Sequence, residues 1–327
     1  MTDSPLISIL MPIRNEAQFI ERSLGAVLQQ TYPAERIEVL IADGMSDDDT
    51  VDIIRRMPGG ERVTIVPNPG RIQAAGLNRL IALAKGDILI RVDGHAIIEP
   101  DYVAACVATL RATGASSVGG AMDPVGTTPI GRAIAAAGKS PFAVPTAFHV
   151  SQQPQVTDTV YMGAWPRAVF EQVGGYNEHV GVNEDYELNH RIRKVGGAIY
   201  FSPAIRSKYY GRQTLRALAR QYYRYGRSKV RTLRLHPESL KPRQLAAPLL
   251  IAAIVVGVLL MILIPALTLL WLLPIGAYVA ANLLASALTA RRFGWDLLPL
   301  LPVVFATIHL AWGAGFWVGI ARPDSAI

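Results

Sequence analysis

The sequence has only one cysteine, Cys106, which excludes an intramolecular disulfide. Its start also lacks the basic, apolar and small-residue pattern of a secretory signal. We therefore expect the large N-terminal part to be cytoplasmic and Cys106 to be a buried apolar residue.

Two common nucleotide-binding fingerprints are missing as well. No G-x-G-x-x-G follows the first apolar run, and no G-x-x-x-x-G-K-[ST] occurs in the chain. Both absences argue against a dehydrogenase and against a P-loop NTPase. Phosphate groups would have to be held by a metal ion or by basic side chains instead.

Charge is lacking from two long C-terminal stretches. Leu245 to Ala290 contains no charged residue, and Leu297 to Ile320 contains only His309 as a titratable group. Because the first stretch is too long for one span and is broken by Pro265, we expect three spans, at about 246–264, 268–290 and 297–320. Positive residues mark the cytoplasmic side, so three crossings predict an external C-terminus, with a re-entrant first pair as the alternative.

Acidic residues are almost absent from the segment before these spans. Residues 204–243 hold twelve Lys or Arg and a single acid, Glu238. Arginines recur on one side of a predicted helix over Thr214–Leu235, which is typical of a helix in the membrane interface. Because the block directly precedes apolar sequence, it favours anionic lipids over nucleic acid as its partner.

The first 200 residues alternate short β-branched runs with amphipathic stretches, which predicts an α/β domain with a mostly parallel sheet. The predicted strands are Leu6–Ile13, Ile37–Ala42, Val63–Pro67, Ile88–Val92, Ser116–Ala121 and Val160–Ala164. The predicted helices include Glu16–Gln30, Thr50–Arg56, Gln73–Ala84, Asp101–Thr113 and Glu184–Val195.

Three acidic groups are candidates for chemistry. Asp43 and Asp93 directly follow predicted strands, at the sheet edge where open α/β sheets bind ligands. Asp93, with His95 two positions on, could hold a divalent ion, although Asp-Gly is also ordinary turn sequence. Asp185 stands at a predicted helix start, where it is either a helix-capping acid or a base for an attacking hydroxyl.

The motifs that contain these residues together resemble glycosyltransferase family 2, and more narrowly the succinoglycan-type exopolysaccharide transferases. The matching segments are Ile7–Glu16, Ala42–Thr50, Arg91–His95, Asn183–Leu188 and Arg220–Arg227. The resemblance implies a GT-A fold and an inverting single displacement. It also implies donor binding by Pro12, Asn15, Glu16, Asp43 and Asp93, a metal at Asp93 and His95, and Asp185 as the general base.

The sequence departs from the family pattern at two motifs. His95 replaces the usual second aspartate of D-x-D, which leaves the divalent metal open between Mn²⁺ and Mg²⁺. Gln221, Arg224 and Tyr225 resemble the Q-x-x-R-W acceptor motif but end in tyrosine. An interfacial helix explains these three equally well, and Trp165 is either an acceptor-stacking residue or a core residue.

The sequence therefore predicts a hexosyltransferase of the inner membrane that moves a sugar from a nucleotide-diphosphate donor, of the UDP type, to a polyprenyl-linked saccharide. A processive polysaccharide synthase and a catalytically silent membrane scaffold are the alternatives. We expect a catalytic domain over 1–205, a basic interfacial segment over 206–244 and a membrane region over 245–327.

Overall fold

The computed structural model describes residues 4–143, 151–180, 183–264, 266 and 268–322. The chain divides into two compact units. The N-terminal unit comprises Met1–Asp123 and Thr146–Tyr210, and the helical unit comprises Pro124–Pro145 and Gly211–Ile327. The segment Pro124–Pro145 thus groups with the C-terminal helices, whereas we expected it in the catalytic domain over 1–205.

A nine-stranded sheet forms the centre of the N-terminal unit, in the order β3-β2-β1-β4-β8-β6-β9-β5, with β7 beside β9. The first four strands are parallel to one another, and β8 runs antiparallel to β4. The strands are β1 (Ile7–Ile13), β2 (Ile37–Asp43), β3 (Val63–Pro67), β4 (Ile88–Arg91), β5 (Ala96–Ile98), β6 (Ser117–Val125), β7 (Gln155–Val156), β8 (Tyr161–Pro166) and β9 (Ile199–Tyr210).

Strand β1 is buried along its whole length because helices cover both faces of the sheet. Ile7, Ile9 and Met11 join the core on one face, whereas Leu10 joins the core on the other. The helices of this unit are α1 (Ile20–Leu28), α2 (Thr50–Arg56), α3 (Gln73–Leu83), α4 (Tyr102–Thr113), α6 (Arg167–Val173) and α7 (Glu184–Lys194). Cys106 lies in the first of these cores, as predicted.

The helical unit consists of helices α5 (Pro129–Gly138), α8 (Leu215–Leu235), α9 (Ala246–Leu263), α10 (Thr268–Phe293) and α11 (Leu301–Ala321). Three segments are long and apolar enough to cross a membrane, judged by length and composition: Pro242–Leu263, Thr268–Phe293 and Leu301–Ala321. They correspond to the three predicted spans. The predicted basic helix is α8, whose N-terminal cap is Thr214.

Candidate functional site

The ends of β1 and β2 are joined by hydrogen bonds between their loops. The amide of Asn15 donates to Ser46 Oγ (2.9 Å), and its side chain exchanges two hydrogen bonds with Asp47. Ser46 Oγ in turn donates to Asp43 Oδ1 (2.6 Å). Because Asn15 has a left-handed backbone (φ 54°), the chain turns sharply here. Asn15 and Asp43, both predicted to bind the donor, thus stand on one connected rim.

Pro12 lies inside β1, buried and paired in register with Ala42. The structure therefore places Pro12 under the rim, one residue before the strand ends. Glu16 follows the turn, and its amide donates to Thr50 Oγ1 (2.8 Å), which ties it to the start of α2. The carboxylate of Glu16 points the other way, towards the end of β4.

The carboxylate of Glu16 contacts the imidazole ring of His95. Its Nδ1 lies 2.8 Å from Glu16 Oε1, and its ring packs edge-on against Tyr209, with centroids 5.3 Å apart. Gly94 permits this approach, since a Cβ there would lie 2.9 Å from Glu16 Cγ. The predicted donor residue Glu16 and the predicted metal residue His95 are therefore in direct contact.

Asp93 lies at the end of β4, with only 6% of its surface exposed. Its Oδ1 accepts hydrogen bonds from Arg91 Nε (2.7 Å) and Gln73 Nε2 (3.0 Å). The contact between Oδ2 and Arg91 Nη2 is longer, at 3.4 Å. One carboxylate oxygen is thus fully engaged, whereas the other retains lone-pair capacity.

The arrangement at Asp93 and His95 fits a divalent metal. When Glu16 is ionised it accepts from Nδ1–H, and the neutral ring then carries its lone pair on Nε2. A histidine ligand held at its other nitrogen by a carboxylate is the usual support of a metal-binding imidazole. Asp93 Oδ2 and His95 Nε2 are the atoms that could bind the ion.

Arg91 connects the metal motif to the start of α7. It lies buried in β4, and its Nη1 reaches Glu184 Oε1 at 3.2 Å. Burial opposes its charge, but the carboxylates of Asp93 and Glu184 outweigh that effect and raise the pKa of Arg91 well above its usual value. Arg91 is therefore a permanent cation between two acids that are themselves 5–6% exposed.

Asp185 follows Glu184 at the N-terminal end of α7. Its Oδ1 accepts a hydrogen bond from the amide of Tyr186 (2.7 Å). Loss of hydration raises the pKa of Asp185, while Arg91 acts to lower it. Burial likewise raises the pKa of Glu184, against the opposing effect of Arg91. These acids at the helix start are more basic than solvent-exposed carboxylates, a property suited to proton acceptance.

The remaining predicted site residues lie elsewhere. Trp165 is 2% exposed and packs edge-on against Phe170 and Tyr176, so the structure favours its role as a core residue over acceptor stacking. Gln221, Arg224 and Tyr225 lie on α8 in the helical unit, where Gln221 Nε2 donates to Tyr225 Oη (2.8 Å) and Arg224 is exposed.

Sequence reasoning missed Arg91, Gln73 and Glu184 as functional residues. Arg91 offered a signal, because a charged side chain at the end of the apolar run Ile88–Val92 needs buried partners. The partner acid lies 93 residues further along the chain, and the sequence spacing does not reveal it.

Comparisons with known proteins agree with this geometry. The protein-family model described as "Glycosyl transferase family 2" matches residues 8–163, and a second family model, "Glycosyl transferase family group 2", matches residues 89–285. The chain is 35% identical to "Succinoglycan biosynthesis protein ExoA" of Rhizobium meliloti (strain 1021), over 94% of this chain and 93% of the relative. It is 27% identical to a "Dolichyl N-acetyl-alpha-D-glucosaminyl phosphate 3-beta-D-2,3-diacetamido-2,3-dideoxy-beta-D-glucuronosyltransferase" of Methanococcus voltae, over 68% and 72% of the two chains.

Among solved structures, mannosyltransferase PcManGT from Pyrobaculum calidifontis, in complex with GDP-Man and Mn²⁺, superimposes with a TM-score of 0.63 at 22% identity. That likeness covers 99% of this chain and 89% of the other. Staphylococcus aureus TarS, in complex with UDP, gives a TM-score of 0.52 at 15% identity, over 98% and 92% of the chains. These likenesses confirm the predicted GT-A fold, and with the family models and the ExoA match they show that this chain is a glycosyltransferase of family 2.

Proposed function

We propose that this enzyme is an inverting transferase that moves a sugar from a nucleotide-diphosphate donor to a hydroxyl of a lipid-linked saccharide, in the synthesis of an exopolysaccharide or another cell-surface glycan. The observation that carries the proposal is a set of polar contacts that extends in three groups from the donor rim to the predicted base. Hydrogen bonds join Asp43, Ser46, Asn15 and Asp47 at the rim. Glu16, the residue after Asn15, contacts His95. Two residues before His95, Asp93 pairs with Arg91, and Arg91 pairs with Glu184 next to Asp185.

The donor is a nucleotide-diphosphate sugar held at the rim of β1 and β2. Asn15, Glu16 and Asp43 provide polar groups there, and Pro12 supports them from within β1. PcManGT with GDP-Man and TarS with UDP both hold nucleotide diphosphates on this fold. The two neighbours carry different bases, and we propose a UDP-sugar as the donor of this chain.

Asp185 accepts the proton of the attacking hydroxyl. A base whose pKa is raised towards the working pH takes up a proton more readily and still remains ionised in a useful fraction of molecules. Arg91 keeps part of the neighbouring negative charge neutralised, which favours the ionised form of Asp185. The sugar is attacked on the face opposite the departing diphosphate, which inverts its anomeric centre.

Asp93 and His95 would hold a divalent metal, either Mn²⁺ or Mg²⁺. When bound, the metal neutralises charge on the departing nucleotide diphosphate. Glu16 orients the imidazole of His95 for this purpose, and Arg91 with Gln73 fixes the carboxylate of Asp93.

The acceptor is a lipid-linked saccharide at the cytoplasmic face of the inner membrane. The names of the Rhizobium and Methanococcus relatives, which refer to succinoglycan biosynthesis and to a dolichyl-linked sugar, support this substrate class. On α8, Gln221, Arg224 and Tyr225 offer polar contacts for the acceptor, and the exposed arginines of that helix suit anionic headgroups and a diphosphate.

Transfer from a panel of nucleotide sugars to lipid extract tests this function directly. The full chain, reconstituted in nanodiscs, should transfer label from one UDP-sugar, and Asp185→Asn should lower turnover by about 10²-fold or more while donor affinity stays unchanged. Asp52→Asn is the matched control, because Asp52 is exposed on α2 and should leave turnover unchanged. Near-normal turnover of Asp185→Asn would remove Asp185 from the role of base, and wild-type enzyme inactive with every donor would refute the transfer.

A further inference from the structure

Helix α11 is long and apolar enough to cross a bilayer. Its contacts within the helical unit, however, indicate that it does not cross. We propose that α11 lies in the membrane interface, paired with α8 against an anionic lipid leaflet. The chain then crosses the bilayer with α9 and α10 only, and both ends of α11 face the same side. This inference concerns the membrane arrangement and does not depend on the proposed reaction.

The first observation is the close pairing of α8 with α11. A Cβ at Gly226 of α8 would overlap the carbonyl oxygen of Trp312, and a Cβ at Gly315 would overlap that of Tyr223. Glycines that bring two helix backbones this close fix the helices side by side. The second half of α11 therefore has to lie at the same depth as α8.

The second observation is that α8 carries charge along its whole length. Its arginines recur every three or four residues and so form one stripe on the helix, opposite the face that includes the buried Leu218. The stripe consists of Arg216, Arg220, Arg224, Arg227, Arg231 and Arg234. A bilayer core strongly disfavours arginine, so α8 belongs at the headgroups, and α11 has to accompany it there.

The third observation is where α11 contacts α9. Trp317 Nε1 donates to the carbonyl of Pro248 (2.9 Å), and a Cβ at Gly313 would lie 2.5 Å from the oxygen of Ala247. Both contacts involve the first turn of α9, although Trp317 lies in the last turns of α11. A helix crossing alongside α9 would instead reach the far end of α9 at this point.

The far halves of α9 and α10 agree with this arrangement. Their large apolar side chains are exposed, including Ile262 and Leu263 on α9 and Leu269 and Leu273 on α10, each at least 66% exposed. Within the apolar stretch of α11, 39% of residues are buried by protein, compared with 11% and 6% in the other two candidates. Lipid is the natural cover for the two outer halves, which form the crossing hairpin.

The fourth observation is the charge at the two ends of α11. It begins shortly after Arg291 and Arg292, and at its end Arg234 Nη2 donates to the carbonyl of Gly319 (2.9 Å). Both ends thus lie beside positive residues, which mark one side of the membrane. The end of α11 then lies on the same side as its start, whereas three crossings would have placed it outside.

Single-cysteine labelling tests the arrangement. The only native cysteine is fully buried, so the wild-type chain provides an unreactive background. Trp295→Cys precedes α11, Arg322→Cys follows it, and Ala266→Cys marks the loop between α9 and α10. An impermeant maleimide applied to sealed right-side-out and inside-out vesicles should label positions 295 and 322 from the same side, and position 266 from the other.

Labelling of 295 and 322 from opposite sides would overturn the proposal, and labelling of all three positions from one side would overturn the crossing hairpin. Fusions at Ile327 provide a second measurement that requires no substitution. A fluorescent protein that matures only in the cytoplasm should be bright, and alkaline phosphatase, which matures only outside, should be inactive. The reverse pattern would place the end of α11 across the membrane and refute the proposal.

Discussion

Arg91 determines the charge balance of the candidate site at the end of β4. It is buried between Asp93 and Glu184, so its removal would leave two acids enclosed without a cation. We expect Arg91→Met to destabilise the chain by about 3–5 kcal/mol, because removal of one partner from a buried ion pair costs far more than loss of an exposed pair.

Thermal unfolding of the full chain in detergent measures this effect. Arg55→Met is the matched control, because Arg55 is exposed and contacts Asp52 at 3.9 Å, and its variant should unfold within a degree or two of the wild type. Adding Glu184→Gln to Arg91→Met should recover part of the lost stability, since it removes one uncompensated acid. Equal unfolding temperatures for Arg91→Met and Arg55→Met would contradict the role of Arg91.

We propose that Glu16 acts through His95, so its effect should appear in the metal dependence. If Glu16 orients the imidazole, Glu16→Gln should weaken the apparent affinity for Mn²⁺ by about 10- to 100-fold. Initial rates against Mn²⁺ concentration, after chelation and dialysis, give this constant. Glu21→Gln, on the same loop-helix segment, should not change it. Full activity in excess chelator would exclude the metal altogether.

For single residues, the sequence predicts where the candidate acids stand in the fold better than it predicts which side chains contact them. Asp43, Asp93 and Asp185 could be recognised because each stands where a strand ends or a helix begins. The contacts of Arg91 and Gln73 could not, since they depend on side chains brought together from β4, α3 and α7. The sequence alone did not decide whether Trp165 is a core residue or an acceptor-stacking residue. The reason is related: the rings that bury it belong to Phe170 on α6 and to Tyr176 after it, and only the fold brings them together.

At the level of elements, the pairing of α8 with α11 depends on glycine. We expect Gly226→Ala to force the two backbones apart and to destabilise the helical unit by about 1–3 kcal/mol, the usual cost of overpacking. Gly276→Ala on α10 is the matched control, because a Cβ there meets no heavy atom within 4 Å. Unfolding temperatures in one detergent compare the variants, and equal losses for both would show that close packing at Gly226 is unimportant.

Elements with a clear period were predictable, and those without one were not. The four parallel strands and α8 appear close to their expected bounds, because apolar runs and arginine spacing mark them in the sequence. Strand β9 was missed because Pro203 lies inside it and because its alternation is clear only from Ile205 to Lys208. The pairing of α8 with α11 was also missed, because the apolar composition of α11 by itself predicts a membrane span.

At the scale of the whole molecule, the division into two units departs from chain order. Pro124–Pro145 leaves the N-terminal unit, contributes α5 to the helical unit, and the chain then returns to the sheet. Within the helical unit this excursion is held by Arg132, which pairs with Asp296 at 2.9 Å, and by Phe142, which packs against Phe305. Local sequence patterns do not show that a segment in the middle of one unit belongs to the other. The expected boundary at residue 205 therefore corresponds only to the later passage into the helical unit, at Gly211.

The short connection between α9 and α10 has a consequence for how the protein is made. Only residues 264–267 separate these helices, and the uncharged sequence there is Ile-Pro-Ala-Leu. If α11 lies in the interface, only this tetrapeptide has to cross the bilayer when α9 and α10 insert, and it contains no charged residue. Such a hairpin can enter the bilayer as one unit, after the N-terminal unit has left the ribosome, and its insertion needs no export of a folded domain.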